Sequence, residues 1–402
     1  MADLDYRKEL ARMLLSEGRD EFDLLADVVP EALPAAARLT ADLGLQFPAG
    51  LAPVPRPLDS RPDPENPLPR ADVLVVTWTV AENNGLADVL TPGFGRQVWY
   101  FYRRRFNQHY RPLIRDGAPS LAGGGRLGSW FPTSVGPSSV ICFKSELHLN
   151  QDGKFLNADG TPADQKTGYA TLPVKDLFLQ LIDEVKPKLV ITTGTSGGVA
   201  LDQDLGDVVI TRGAKFRLAD EFAQEPFNAM HRPGPQYTSD WQVPQTHFGA
   251  ARDLMNQFTQ NLVEPDFGPP TKRYDFPGPL LRARPNRPDI QLDGTGWMPA
   301  FHPILTTDFF EFGTSNNHLD REGCAVEMGD AVLGLACSEL ANPPRWLVVR
   351  NISDPQINGD LPTQPKRLDM QALWAVWYYE KYGYWTSVTG ALACWAVIAG
   401  LA

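Results

Sequence analysis

The sequence predicts an α/β protein built on a mostly parallel, mixed sheet with helices on both faces. Three observations predict it: aliphatic runs typical of buried strands, segments with helical spacing between them, and alternation of the two along the chain. Parallel strands need a crossover connection, and a helix is the usual one. We therefore expect ligands to bind at the carboxyl ends of the strands.

The first 70 residues differ in composition from the rest. Residues 4–15 and 21–43 have amphipathic helical spacing and predict a small N-terminal helical appendage. Eight prolines from Pro48 to Pro69 predict an extended linker or surface strap without helix or strand pairing, because proline removes hydrogen bonds from both. We therefore divide the chain into an N-terminal segment, residues 1–70, and a main domain, residues 71–402.

The main domain alternates strands and helices, with two interruptions. Strands are predicted at Ala71 to Thr77, Ser139 to Lys144, Leu189 to Thr193, Asp207 to Thr211, Pro303 to Thr307 and Trp346 to Ile352. Helices are predicted at Ala81 to Leu90, Val174 to Val185, Gly249 to Leu262 and Glu327 to Leu340. Residues 94–137, rich in arginine and aromatics, and residues 216–298, rich in proline and asparagine, read as long insertions of the kind that often line binding sites.

Composition narrows the function classes. A formal net charge of -11 and a pI near 5.1 argue against a general nucleic-acid binder, which would need a broadly basic face. Four scattered cysteines without a CxxC pair predict reduced thiols and a cytoplasmic protein. Six histidines without HxxxH or HExxH spacing predict no metal site. The first residues show no basic region followed by an apolar one, so we expect no secretory signal.

The C-terminal residues 382–402 carry no charge and are about long enough to span a bilayer. Thr386, Ser387 and Thr389 interrupt the apolar run, and a last helix packed on a sheet must also be apolar on its buried side. We expect such a packed helix and no membrane contact, and a membrane tail is the alternative.

Two strand ends predict one site. Leu189 to Thr193 leads into Gly194-Thr195-Ser196-Gly197-Gly198, predicted as a turn against whose backbone a ligand can lie. The run from Trp346 leads into Asn351-Ile352-Ser353-Asp354, which places a carboxylate at the end of a buried strand.

Together with Leu205 to Val209 and Ala325 to Met328, these segments resemble the nucleoside phosphorylase and nucleosidase superfamily in order and spacing. The similarity is to methylthioadenosine/S-adenosylhomocysteine nucleosidases and AMP nucleosidases, and covers residues 71–402 apart from the insertions. It implies an N-glycosidase that releases the base from a purine nucleoside or nucleotide. It also implies a homo-oligomer that needs no cofactor.

The resemblance implies roles for two carboxylates. Asp354 matches the acid that protonates the departing base at N7, which requires a raised pKa, and Ser353 and Asn351 are placed to hold it. Glu82 matches the carboxylate that activates water, and an acid and base on opposite sides of the sugar imply inversion. The alternatives are a capping role for Asp354 and an exposed Glu82 that favours a helix start.

The resemblance also implies substrate contacts. Phe310 matches an aromatic that stacks on the purine, with a core position as the alternative, and Met328 should lie under the ribose. Gly329 stands where related enzymes place a glutamate for the sugar hydroxyls, a task that Asp330 could take over only if the backbone shifted. The remaining expected substrate contacts are Thr195, Ser196, Gly197, Glu327 and Ser353.

The sequence favours hydrolysis over phosphorolysis because it lacks two phosphate-binding features of the related phosphorylases. Thr192 stands where related phosphorylases have a phosphate-binding arginine, and Trp78-Thr79-Val80-Ala81 replaces their glycine-rich phosphate loop. A phosphorylase is the alternative.

The basic run Arg103-Arg104-Arg105 suggests a phosphorylated substrate such as AMP or ATP, with a solvated basic face as the alternative. Superfamily members also include nucleotide-depleting effectors of bacterial defence, with which a controlling appendage at residues 1–70 would fit. A nucleotide-binding or sensor module without turnover is the remaining reading.

Overall fold

The computed structural model describes residues 43–116, 118, 120–121, 125–149, 173–219, 222–223, 225–228, 232, 234–261, 288–361, 363 and 369–401. The predicted N-terminal helices lie outside these residues, apart from Leu43, which is buried. The division of the chain at residue 71 therefore stays a prediction.

The described strands belong to one mixed sheet. They are β1 (Pro53–Pro55), β2 (Val73–Thr77), β3 (Tyr100–Tyr102), β4 (Gly128–Val135), β5 (Ser138–Ser145), β6 (Leu189–Gly198), β7 (Val208–Thr211), β8 (Gly213–Phe216), β9 (Tyr237–Thr238), β10 (Ile290–Leu292), β11 (Ile304–Thr306), β12 (Ala325–Glu327) and β13 (Arg345–Asp354). The longer helices are α1 (Val80–Leu90), α2 (Pro173–Val185), α3 (Phe248–Asn261), α4 (Ala331–Ser338) and α5 (Met370–Ala399). Single helical turns occur at Arg96–Val98, Phe106–Tyr110, Arg111–Leu113 and Leu319–Arg321.

The centre of the sheet is parallel, as predicted, and the fold class is confirmed. Strands β5, β2, β6 and β13 run side by side in parallel, whereas β4, β7 and β12 join antiparallel. The residues of β2 and β7 are all buried, which explains their unbroken aliphatic character. Their side chains form the core of the molecule.

Strand β6 changes neighbours along its length, and this creates an opening in the sheet. On one side its pairing with β2 ends at Val76↔Thr192, and its pairing with β12 begins only at Val326↔Gly197. Between these points, residues 193–196 have no described strand beside them on that side. Side chains from α1 can therefore reach the β6 backbone there.

The last helix packs inside the protein. Helix α5 lies against β13, β6 and α1, and Asn351 Nδ2 donates to Thr386 Oγ1 at 2.8 Å. This agrees with the packed helix that the sequence predicts. No helix in the described part of the chain combines the length and the apolar character needed to cross a membrane.

Several predicted boundaries are wrong in informative ways. The Pro-rich stretch does form a short strand, β1, which pairs with β4 at the sheet edge, where proline is tolerated. The predicted glycine-rich turn is the second half of β6 and pairs with β13. The predicted helix from Glu327 begins only at Ala331, because Glu327 ends β12. Both predicted insertions contribute strands to the sheet.

Candidate active site

A cavity opens at the carboxyl ends of the central strands, beside the gap along β6. The sequence-predicted residues at both strand ends meet in this one cavity. Among the described residues it is lined by Trp78, Thr79, Glu82, His148, Thr195, Ser196, Gly197, Phe310, Glu311, Val326, Glu327, Met328, Gly329, Arg350, Ser353, Asp354 and Tyr379.

Glu82 joins the start of α1 to strand β6. Its Oε2 accepts hydrogen bonds from Thr77 Oγ1 at 3.0 Å and from the backbone N–H groups of Trp78 and Thr79, both at 2.9 Å. Its Oε1 accepts from Thr195 N and Thr195 Oγ1, both at 2.9 Å, and so fills the gap in the β6 ladder. With the Thr79 side chain it forms a capping box for α1. Glu82 is therefore a helix-capping residue as well as part of the cavity wall.

The surroundings of Glu82 keep it ionised. Burial alone would raise its pKa, but the Arg350 guanidinium and the backbone N–H groups of Thr79, Thr195 and Trp78 outweigh burial and lower it. The side chain is buried rather than exposed, contrary to the alternative that the sequence allowed. A fixed negative charge therefore faces the cavity.

Arg350 stands at the centre of three buried carboxylates. It donates to Asp330 from Nε at 2.7 Å and from Nη2 at 2.6 Å, and Nη2 also lies 3.2 Å from Glu327 Oε2. Its Nη1 lies 3.7 Å from Glu82 Oε1. Burial lowers the pKa of Arg350, but Asp330 and Glu327 outweigh it and raise that pKa. Burial and the nearby Asp330 charge raise the pKa of Glu327.

Asp354 places a buried carboxyl group at the end of β13. Burial raises its pKa to about 8, against a smaller lowering by the Ser353 hydroxyl. Ser353 Oγ donates to Asp354 Oδ1 at 2.8 Å, whereas Oδ2 has no hydrogen-bond partner among the described residues. Because Oδ1 is held as an acceptor, the proton of the neutral carboxyl belongs on Oδ2. Asp354 can therefore donate a proton to a ligand at neutral pH.

Glycines let these side chains approach the β6 backbone. A Cβ on Gly194 would lie 2.4 Å from Glu82 Oε1 and 2.6 Å from Arg350 Nη1, and a Cβ on Gly197 would lie 3.0 Å from Asp354 Oδ2. The glycine-rich segment thus admits protein side chains as well as a ligand.

We expect Gly194→Ala to lower the free energy of unfolding by about 1–3 kcal/mol. The methyl group would push Glu82 away from Arg350, and alanine would strain the backbone at φ 157°. Urea denaturation measures this change. The matched control is Gly249→Ala, where a Cβ meets nothing within 4 Å. Equal stability of the two variants would show that the close approach at Gly194 does not matter.

Most of the predicted substrate contacts line the cavity. Phe310 is half-buried and lies in its wall, so its ring is available to a flat ligand. The other predicted residues in the wall are Thr195, Ser196, Gly197, Glu327, Met328 and Ser353. Their roles toward a substrate stay predictions.

Other predicted residues lie elsewhere, which corrects the sequence-based picture. Asp330 is fully buried against Arg350 and is not among the described residues that line the cavity, so the structure does not place it as a substrate contact. Asn351 bonds to α5 and not to Asp354. Thr192 is buried between strands and also lies outside the cavity wall.

The three arginines of the basic run do not reach the cavity. Arg103 pairs with Glu65, Arg104 pairs with Glu184, and the backbone N–H of Arg105 donates to Glu65. Arg104 and Arg105 line a different surface pocket beside α2. The described cavity wall therefore gives no support to the predicted phosphate contact, which stays a prediction.

Sequence reasoning missed part of the wall. Arg350 was not predicted as a site residue, although a cation on a buried strand, directly before Asn351-Ile352-Ser353-Asp354, indicates a buried ion pair. Trp78 and Tyr379 bring aromatic surface from β2 and α5, and His148 and Glu311 follow β5 and β11. No local pattern marks these four residues.

The described residues contain no cluster of His, Cys, Asp and Glu arranged to hold a metal ion. The four cysteines are free and buried, and burial raises the pKa of all four thiols, that of Cys337 to about 12. The cavity offers a ligand aromatic surface, the protonated carboxyl of Asp354 and the buried ionisable groups around Arg350.

Comparison with known proteins gives a likeness of fold. No protein-family model and no curated protein matches the chain. A futalosine hydrolase of Helicobacter pylori has a TM-score of 0.40 and 11% identity, covering 81% of this chain and 96% of that one. The methylthioadenosine/S-adenosylhomocysteine nucleosidases of Neisseria meningitidis and S. pneumoniae have TM-scores of 0.41 and 0.39 and identities of 13% and 16%. The two comparisons cover 82% of this chain each, and 99% and 100% of the nucleosidases.

Proposed function

We propose that the protein is an N-glycoside hydrolase that releases the base from purine nucleosides. The observation that carries the proposal is the protonated Asp354 carboxyl, with an unpartnered Oδ2, in the same cavity as the ionised Glu82. Such a pair supplies an acid for the leaving base and a negative charge for the sugar. The motif resemblance supports purine as the base.

The reaction follows from the two protonation states. The C1′–N9 bond breaks and its electron pair stays with the base, which takes the Asp354 proton at N7. The ribose carbon becomes positively charged, and the fixed charge of Glu82 stabilises it. Water then bonds to C1′ and loses a proton. Because that water is bonded to a cation, its proton is acidic enough to pass to solvent, and solvent exchange also reprotonates Asp354. Glu82, whose acceptor positions are filled by five protein donors, contributes its charge.

Hydrolysis fits the cavity better than phosphorolysis. Among the described lining residues Arg350 is the one Lys or Arg, and its guanidinium is engaged by Asp330 and Glu327. An inorganic phosphate would need a cation that is not already paired. The same reasoning favours an unphosphorylated nucleoside over AMP or ATP. A homo-oligomeric state and a role in bacterial defence rest on the resemblance alone.

A binding module without turnover is the second candidate. It is favoured by the five protein donors that occupy Glu82, since a saturated carboxylate activates water poorly.

Chromatography of adenosine, inosine, AMP and ATP after incubation with the protein, with and without phosphate, separates the candidate functions. We expect free base from the nucleosides without phosphate. Base appearing only with phosphate would contradict hydrolysis, and nucleoside bound but intact would favour the module.

The raised pKa of Asp354 predicts a pH profile. The acid form prevails below about pH 8 and is lost above it. We therefore expect kcat/KM to be level through neutral pH and to fall about tenfold per unit above the pKa of Asp354. Initial rates of adenine release from pH 6 to 10 measure this. A rate that rises with pH above 8 would assign Asp354 a role as a base.

A further inference from the structure

Building on the proposed hydrolysis, we infer that the hydroxyl group of Tyr379 holds the water molecule that attacks the sugar. The inference rests on the proposed function and adds to it a catalytic residue contributed by helix α5. Three observations carry it: Tyr379 lines the cavity, it lies beside Glu82, and the acceptor positions of Glu82 are filled by the protein.

The acid and the fixed charge contact strand β6 at different points. Glu82 Oε1 accepts from Thr195 N at 2.9 Å, whereas a Cβ on Gly197 would lie 3.0 Å from Asp354 Oδ2. These points are two residues apart, about 7 Å along a strand. Glycosidases that use water directly keep their carboxyl groups about 6.5–9.5 Å apart, which leaves room for that water. Because the base departs toward Asp354, the water approaches C1′ from the Glu82 end of the cavity.

Glu82 does not orient this water itself. Its two oxygens accept five hydrogen bonds from the protein, and a carboxylate has about four acceptor positions. The water needs another acceptor, one that takes an O–H group and leaves an oxygen lone pair facing C1′. That acceptor must line the cavity close to Glu82.

Tyr379 meets both conditions. It is half-buried in the cavity wall, where Thr79 is also found. The Thr79 side chain and the Glu82 charge both act on its hydroxyl group. The hydroxyls of Tyr379 and Thr79 carry two protons, of which at most one can be shared between them. Whichever of the two donates, Tyr379 Oη keeps a lone pair that can accept from water.

The packing of α5 on α1 fixes the position of Tyr379. A Cβ on Gly85 would lie 2.8 Å from the Ser387 Cβ, so the two helices approach closely there. A Cβ on Gly383 would lie 3.7 Å from both the Ala81 Cβ and Tyr379 Cε2, which places the tyrosine ring beside the helix contact. Tyr379 therefore comes from a different element than the acid, which lies on β13.

The other polar side chains of the wall are placed differently. Three hydroxyl-bearing residues lie on β6 and β13, and each donates its proton to a protein oxygen: Thr195, Ser196 and Ser353. Glu311 is paired with Arg217. His148 follows β5 and is the alternative acceptor for the water.

Tyr379 acts as a neutral acceptor. Burial and the Glu82 charge raise the pKa of its phenol, so it keeps its proton. The water oxygen bonds to C1′ while the electron pair of the C1′–N9 bond leaves with the base. The excess proton on that oxygen passes to solvent, as in the proposed reaction. Removing the Tyr379 hydroxyl should therefore affect the selection of the nucleophile and leave the pH profile unchanged.

The test lets methanol compete with water for the sugar. Adenosine is cleaved in water that contains a fixed share of methanol, and the ratio of methyl riboside to ribose is measured. A site that holds water discriminates against the bulkier methanol. We expect Tyr379→Phe to raise the ratio about two- to tenfold and to slow adenine release by a similar factor, the size of one hydrogen bond. A tyrosine that only supports the fold would not move the ratio.

The matched control is Tyr384→Phe, which removes another hydroxyl from α5. Tyr384 Oη donates to Asp88 Oδ2 at 2.5 Å, and Tyr384 is not among the described residues of the cavity wall. Its ratio should equal that of the wild type. An unchanged ratio in Tyr379→Phe, or an equal rise in Tyr384→Phe, would overturn the inference and leave the proposed function intact.

His148→Gln tests the alternative acceptor. A raised ratio in this variant, together with an unchanged ratio in Tyr379→Phe, would assign the water to His148 and overturn the inference. Failure of the wild type to release adenine would overturn the proposed function, and this inference with it.

Discussion

Asp354→Asn is expected to slow adenine release by about 10²–10⁴-fold, the usual contribution of a general acid, while the protein stays folded. The amide matches the carboxyl in shape and can keep the Ser353 hydrogen bond, but it cannot transfer a proton to the base. Because Asp354 is already neutral at pH 7, the substitution changes little in the electrostatics of the folded state. Initial rates with purified variant and wild type measure the effect.

The matched control is Asp360→Asn, which removes an exposed carboxylate a few residues further along the chain. It should leave the rate unchanged. Thermal unfolding of both variants shows whether they are folded. A folded Asp354→Asn protein with wild-type turnover would remove Asp354 from the mechanism.

Arg350→Met is expected to lower the free energy of unfolding by about 3–5 kcal/mol, since it leaves buried carboxylates without their cation. Asp330 and Glu327 would lose a charge-assisted partner, and Glu82 would lose the nearby positive charge. Urea denaturation measures the loss. We also expect the loss to shrink at low pH, where the carboxylates can take up protons.

Arg345→Met is the control for Arg350→Met, because Arg345 begins the same strand but is exposed. Its effect should stay within about 0.5 kcal/mol. Adding Asp330→Asn to the Arg350→Met protein should recover part of the stability, because it removes the carboxylate that makes two hydrogen bonds with Arg350 in the wild type. A mild Arg350→Met phenotype would mean that the carboxylates are protonated in the native protein.

The fold was predictable wherever local pattern and burial agree. The aliphatic runs of β2, β6 and β13 are buried along their length, and the two strand ends met at one edge as expected. Asp354 and Glu82 were found in the same cavity because motif order and strand ends constrain their placement together. The length of β6 was not predictable, since pairing of Gly197 with β13 and of Gly197 and Gly198 with β12 overrides their low strand preference.

Contacts between distant segments were not predictable. The basic run at Arg103 to Arg105 has the charge of a phosphate site, but its partners, Glu65 and Glu184, are far away in sequence and are placed only by the fold. The contact between Trp78 and Gly329 likewise joins β2 to the turn after β12. Sequence pattern identifies the chemistry available at a position more readily than its partner.

The most direct test of the acid role of Asp354 compares two leaving groups. Wild type and Asp354→Asn are assayed on adenosine, whose base leaves only after protonation, and on 4-nitrophenyl β-D-riboside, whose phenolate leaves without a proton. We expect the variant to lose about 10²–10⁴-fold in kcat/KM on adenosine and less than about tenfold on the nitrophenyl riboside. Equal losses on both substrates would contradict proton donation by Asp354 to the departing base.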